Sequence, residues 1–273
     1  MRLTPGRGFA LVLGVPVALT LMAGGGYSIV QNLGRASFPV PDTAITVPSS
    51  GLAVNLNGGN ATVRGDSSLT SVAQLTGTVT YALGRPSLHV HAGDVSLNCP
   101  FIDGGNCGLD ATVEAPAGSA LKLTSGGGDL SVSGLSGAVS ASTDGGNVTA
   151  SRLSADVTLS SGGGDVTVSQ LSGTVGLHTD GGNINGTGIS STDVTAATGG
   201  GDITLTLTRA PRDLAVSTDG GNVTIVVPAG VSYDVQARSA GGSVSKDVAM
   251  SSTSPYKITA TSGGGDITIS QAG

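Results

Sequence analysis

Ser125-Gly-Gly-Gly-Asp129, Thr143-Asp-Gly-Gly-Asn147, Ser161-Gly-Gly-Gly-Asp165 and Thr179-Asp-Gly-Gly-Asn183 are four copies of one corner. The series continues as Gly199-Gly-Gly-Asp202, Asp219-Gly-Gly-Asn222, a degenerate Ala240-Gly-Gly-Ser243 and Gly263-Gly-Gly-Asp266. The last residue of each copy falls at 129, 147, 165, 183, 202, 222, 243 and 266, in steps of 18, 18, 18, 19, 20, 21 and 23. A near-constant period with self-similar sequence marks a repeat architecture rather than a single-core globule.

Working outward from one corner, Asp165-Val-Thr-Val-Ser169 alternates polar and apolar residues, Leu171-Ser-Gly173 turns, Thr174-Val-Gly-Leu-His-Thr179 alternates again, and Asp180-Gly-Gly182 turns back. Each unit therefore predicts two short strands, and successive units stack about 4.8 Å apart with parallel pairing. The fold class expected is all-β: a two-faced parallel β-solenoid of about 18-residue coils. Inward positions include Leu130, Val132, Val139, Ala141, Val148, Ala150, Val157, Leu159, Val166, Val168, Val175, Leu177, Ile203, Leu205, Leu214, Val216, Val223, Ile225, Ile267 and Ile269. About four aliphatic side chains per coil, each worth roughly 1.5 to 3 kcal/mol on burial, cannot hold one coil alone, so the stack must fold cooperatively. A four-strand antiparallel meander would also use Asp-Gly and Gly-Gly turns. Strict superposition of the corners favours the solenoid.

The corner residues Asp129, Asn147, Asp165, Asn183, Asp202 and Asn222 alternate carboxylate and amide, with Asp266 closing the series. Three residues earlier, Gly126, Asp144, Gly162, Asp180, Gly199 and Asp219 alternate in the opposite sense. In an 18-residue coil every carboxylate then lies beside a neutral residue, which avoids repulsion across about 5 Å. The corner glycines are expected to supply the positive backbone dihedrals of tight reversals. Residues 116–273 read as the regular solenoid. Residues 36–115 read as an irregular β cap with the first coils, in which Asn57-Gly-Gly-Asn60 and Gly104-Gly-Asn106 are diverged corners. At the other end, the stretch from Ile267 to Gly273 lacks a polar capping element and is expected to leave an open edge for self-association.

Composition agrees. The chain of 273 residues has 46 Gly, 3% aromatics, no Trp, one Glu (Glu114), three Lys and a formal net charge of −6. Too few straight-chain helix formers remain for a bundle, and 38% hydrophobic residues exceed what a disordered chain carries. An acidic balance with no basic cluster and few rings excludes nucleic acid as the expected partner.

Residues 1–35 form a separate unit. Arg2 and Arg7 precede an uncharged run from Phe9 to Val30, long enough as a helix to span a bilayer, with only Arg35 just after it. This predicts one N-terminal transmembrane helix and a single-pass protein at the cell membrane, with residues 36–273 extracytoplasmic. The alternative is a cleaved secretory signal with Ala23 and Gly25 flanking the cut, which would release the rest. Both place Cys99 and Cys107 in an oxidising compartment, where one disulfide closing a short loop is expected.

Other chemistry reads weakly. Gly-Gly-Gly-Asp resembles the corner of calcium-binding rolls, but here Asp follows glycine directly and the opposite turns carry no ligand, so a calcium-stabilised module stands only as an alternative. The glycine corners are followed by Asp, Asn or Ser and a strand, unlike a phosphate-cradling loop. His89, His91 and His178 supply no metal set and read as solvated. Outward residues two after each corner (Ser131, Thr149, Thr167, Asn185, Thr204, Thr224, Ser245, Thr268) form a hydroxyl ladder similar to that of ice-binding solenoids. The next column runs Ser133, Ser151, Ser169, Thr187 and Thr206 before Val226 and Asp247 interrupt it, which counts against that reading. A carbohydrate-active β-helix enzyme would need acids or Arg grouped on one face, and Arg152, Arg209, Arg212 and Arg238 show no such grouping. No catalytic residue, cofactor or metal is expected.

The N-terminal apolar segment, the Cys pair, Val113-Glu-Ala-Pro-Ala-Gly118 leading into Leu121-Lys-Leu-Thr-Ser-Gly-Gly-Gly-Asp129, and the repeated Gly-Asp-Val-Thr-Val units together resemble the bacterial putative-adhesin domain of unknown function over residues 45–270. The resemblance implies a β-solenoid on the outside of a bacterial cell and carries no catalytic signature. The function expected is a non-enzymatic, membrane-anchored surface protein presenting a polar repeat face to an envelope, glycan or protein partner.

Overall fold

The computed structural model describes residues 35–100 and 106–272, so the expected transmembrane helix and the turn at Gly104 and Gly105 lie outside the described residues. The chain opens with β1 (Ala36–Thr46), β2 (Leu52–Asn55), β3 (Ala61–Asp66), β4 (Val72–Tyr81), β5 (Ser87–His91), β6 (Asp94–Asn98) and β7 (Gly108–Pro116). The regular region follows as β8 (Leu121–Ser125), β9 (Leu130–Ser133), β10 (Val139–Thr143), β11 (Val148–Leu153), β12 (Val157–Ser161), β13 (Val166–Leu171), β14 (Val175–Thr179), β15 (Ile184–Ile189), β16 (Asp193–Thr198), β17 (Ile203–Leu207), β18 (Asp213–Thr218) and β19 (Val223–Val227). It ends with β20 (Asp234–Ser239), β21 (Val244–Asp247), β22 (Lys257–Ser262) and β23 (Ile267–Gln271).

Two long sheets face each other. One runs β1-β4-β7-β3-β9-β11-β13-β15-β17-β19-β23-β21 and the other β20-β22-β18-β16-β14-β12-β10-β8-β2-β6-β5. From β8 to β17 each strand pairs in parallel with the strand two further along the chain, like residue over like residue: Val148 on Val166, Thr149 on Thr167, Ala150 on Val168. That is a solenoid, not a meander. Antiparallel pairing is confined to the start, where β4 lies between β1 and β7, and β5 flanks β6.

All the inward aliphatic positions read from the sequence are buried. The core holds more than four per coil, because a further column (Leu135, Leu153, Leu171, Ile189, Leu207 and Val227) closes it at the second turn. These side chains turn inward because the residue before each of the first four is left-handed: Gly134 at φ 72°, Arg152 at 53°, Gln170 at 55° and Gly188 at 64°.

The corner glycines have a different reason to be glycine than the one expected. Their φ values are not in the left-handed region; positive φ falls at the second turn and in the cap. What the corner requires is close approach. A Cβ on Gly146 would lie 2.1 Å from the carbonyl oxygen of Gly128, and one on Gly164 2.2 Å from that of Gly146.

Coil order departs from sequence order at both ends. The β2–β3 coil sits between β6–β7 and β8–β9, and the last coil, β22–β23, sits between β18–β19 and β20–β21. The expected open edge at Ile267 is therefore corrected: Ile267 and Ile269 are fully buried, with β19 on one side and β21 on the other. The outermost coil is the degenerate one. Its Lys246 occupies the inward column of Ile225 and Ile269. In sequence order that ammonium would be sandwiched between two isoleucines, at a cost of several kcal/mol. At the end of the stack it is exposed and blunts the edge, as Pro39 and Pro41 do on the edge strand β1.

Candidate binding surface

The corner is a hydrogen-bonded column two side chains wide. Its buried half is hydroxyl. Ser125, Thr143, Ser161, Thr179, Thr198, Thr218, Ser262 and Ser239 each donate to the carbonyl of the glycine that precedes the last, marker residue of the corner in the adjacent coil and accept from the N–H of the corresponding glycine in their own coil. Ser161 Oγ, for example, donates to Gly146 O at 2.7 Å and accepts from Gly164 N–H at 2.8 Å. Sequence reasoning missed this column, since a polar residue beside a turn reads as solvated. Its signal was strict recurrence of Ser or Thr four residues before every marker.

The exposed half is the carboxylate–amide ladder. Asn147 donates its backbone N–H (2.7 Å) and its Nδ2–H (3.2 Å) to Asp129 Oδ1, and its own Oδ1 accepts from Asp165 N–H at 2.9 Å. Asn183 repeats this between Asp165 and Asp202, and Asn222 between Asp202 and Asp266. Asn60 joins from the transposed coil, donating to Asp110 and accepting from Asp129 N–H. Ser243 ends the row on Asp266 with its N–H and hydroxyl. In space the row reads Asp110, Asn60, Asp129, Asn147, Asp165, Asn183, Asp202, Asn222, Asp266, Ser243; in chain order, Asp110 and Asp129 would be neighbours. Ser243 holds Asp266 below the ordinary carboxylate value, through the backbone bond first and the hydroxyl second. That stabilisation is present above the unfolded value of 3.8 and is lost as pH falls through the lower folded one.

A third carboxylate beside two others should break this row. Asn147→Asp removes the Nδ2 donor and stacks three carboxylates, so it should destabilise by about 1 to 2 kcal/mol at pH 7 and low salt. Much of the loss should disappear near pH 3 or in molar salt. The check is urea unfolding across pH, and a loss independent of pH would show that repulsion is not its cause.

Cys99 and Cys107 form a disulfide, Cα–Cα 5.9 Å, that ties the end of β6 to the start of β7. His178 lies 3.0 Å from Asp180, both exposed, and His89 Nε2 lies 3.2 Å from Ser87 Oγ. Among the described residues no three His, Cys, Asp or Glu side chains converge as a metal site.

On the outer face of the larger sheet, register extends the hydroxyl ladder beyond the repeats: Thr76, Thr112, Thr62, Ser131, Thr149, Thr167, Asn185, Thr204, Thr224, Thr268 and Ser245 stand side by side on adjacent strands. At about 4.8 Å per strand this row is about 48 Å long.

Parallel in-register coils closed by glycine–hydroxyl corners define a β-solenoid of stacked plates. The chain belongs to the Toastrack DUF4097 family, whose model matches residues 40–272. Among solved structures, it is similar to a putative adhesin from Bacteroides fragilis at 16% identity and TM-score 0.49, over 86% of this chain and 97% of that one. A putative adhesin from Parabacteroides distasonis shares 12% identity at TM-score 0.42, over 88% and 97% of the two chains. A putative cell adhesion protein from Clostridium sporogenes shares 14% identity at TM-score 0.25, over 86% and 100%. No curated protein matches the chain.

Proposed function

We propose that the protein is a non-enzymatic, adhesin-like surface module, anchored by residues 1–35 in the cell membrane, with residues 36–273 extracytoplasmic and presenting the hydroxyl ladder of the larger sheet to a polymer of the envelope or the extracellular matrix. The observation that carries this reading is the continuity of that ladder. Eleven hydroxyl or amide side chains at a fixed spacing match a repetitive, hydroxyl-rich ligand such as a glycan strand laid along the stack, each contact weak and the sum multivalent. Glycan and cell-wall arrays probed with the full chain in detergent should return at least one polymer. Its binding should fall at least tenfold, by loss of several contacts, in Thr149→Arg/Thr167→Arg/Thr204→Arg. Silence on every polymer, or binding indifferent to that variant, would overturn the assignment.

A further inference from the structure

The first end of the stack is chemically unlike the rest. It is formed by the edge strands β1 and β5. Residues 35–41 and 72–93, which make most of it, contain Arg35, Arg85, His89 and His91 and not one carboxylate, in a chain of net charge −6. Asp42, near the bulge of β1, Asp94, paired across from His91 on β6, and Asp110 and Glu114, paired across from Thr78 and Gln74 on β7, are the acids that border it.

Aromatic residues gather there too. Phe38 and Tyr81 pack with ring centroids 6.2 Å apart, and the Arg85 guanidinium lies 5.3 Å over the Phe38 ring. Register places Ala36 against Tyr81, so Arg35 enters at this same corner. Leu83, in the adjoining β4–β5 turn, is 46% exposed. The uncharged run from Phe9 to Val30 ends five residues before Arg35.

We propose that this corner is a membrane seat: Arg35 and Arg85 bind anionic lipid headgroups, while Phe38, Tyr81 and Leu83 rest at the interfacial level. Guanidinium and aromatic side chains together have the chemistry of the headgroup region. Two arginines at an anionic surface are together worth about 30-fold in occupancy. The seat stands the solenoid upright, with the hydroxyl ladder running away from the bilayer and the β20–β21 end about 50 Å from it. This inference rests on the anchored reading given under Proposed function.

The test uses the full chain in nanodiscs containing phosphatidylglycerol, with headgroup-attached quencher and a single fluorophore at Leu83→Cys or, at the far end, Met250→Cys. The native cysteines are paired in the disulfide and do not label. Quenching should be strong at position 83 and absent at 250. It should drop at 83 in molar salt, in pure phosphatidylcholine and in Arg35→Ser/Arg85→Ser. Extraction of the chain by alkaline carbonate would overturn the anchor and the seat together. Retention with position 83 unquenched, or quenched equally without anionic lipid, would overturn the seat alone, as would energy transfer showing a second copy on this end.

Discussion

Gly164→Ala will lower the melting temperature by about 10 °C, while Gly163→Ala, one residue earlier on the same corner, will leave it within about 1 °C. The two glycines differ in what lies above them along the stack. A Cβ on Gly163 meets nothing nearer than Gly145 O at 3.8 Å, an ordinary contact. A Cβ on Gly164 lies 2.2 Å from Gly146 O, 2.5 Å from Gly146 C and 2.8 Å from Asn147 N, all backbone. No rotamer relieves that overlap, so the coils must separate at the corner. Separation stretches the bond from Ser161 Oγ to Gly146 O and the ladder bond from Asp165 N–H to Asn147 Oδ1. Overpacking of this kind costs about 3 kcal/mol, before any unsatisfied buried hydroxyl adds to it. Thermal unfolding of both variants is the check. Equal melting points would show that the corner is looser than this spacing, and the account of why glycine precedes the marker in every corner from Gly128 to Gly265 would fail.

That account also shows what the sequence carries and what it hides. Recurrence of the Gly-Gly corner gave the coil length, and alternation of Val-Thr-Val gave the faces, because both are local properties that stacking merely repeats. The reason for glycine was misread, since a tight turn and a close approach select the same residue and only the backbone angles separate them. Ser161 and its equivalents were missed because a hydroxyl carries no sign of whether it faces water or a carbonyl. Coil order was hidden more deeply, because any corner can stack on any other. Two residues nonetheless encode it. Lys246 in an inward column fits only at an end, and Asp110 cannot neighbour Asp129 without stacking two carboxylates. The outer hydroxyl ladder was legible in the repeats, and its extension through Thr62, Thr112 and Thr76 needed the register of the cap.

Transposition at the C-terminal end makes a short deletion cost as many coils as a long one. Ending the chain after Tyr256 removes 17 residues and ending it after Val227 removes 46. The longer deletion takes away two outer coils and leaves β18–β19 as a complete terminal coil, a change of length that a stack held by nearest-neighbour contacts tolerates. The shorter one removes β22–β23 from between two coils that remain. The β20–β21 coil then faces β18–β19 across an empty layer, or closes onto it and brings Lys246 against Ile225. Either way a buried aliphatic layer (Ile258, Ala260, Ile267 and Ile269) is lost, with no compensating contact for one neighbour or a desolvated charge for the other. The chain ending at Tyr256 can always release residues 228–256 and keep β18–β19 as its terminal coil, so it should melt within about 2 °C of the chain ending at Val227, with residues 228–256 cleaved first in limited proteolysis. Lys246→Ile should restore part of the loss in the shorter deletion, because it lets the last coil close on Ile225. In the full-length protein the same change should instead expose an apolar column on an unpaired edge and promote association of copies. A chain ending at Tyr256 in which residues 228–256 stay as protected as in the full chain would mean that the final coil is an accessory layer rather than the element that joins the last coil to the stack.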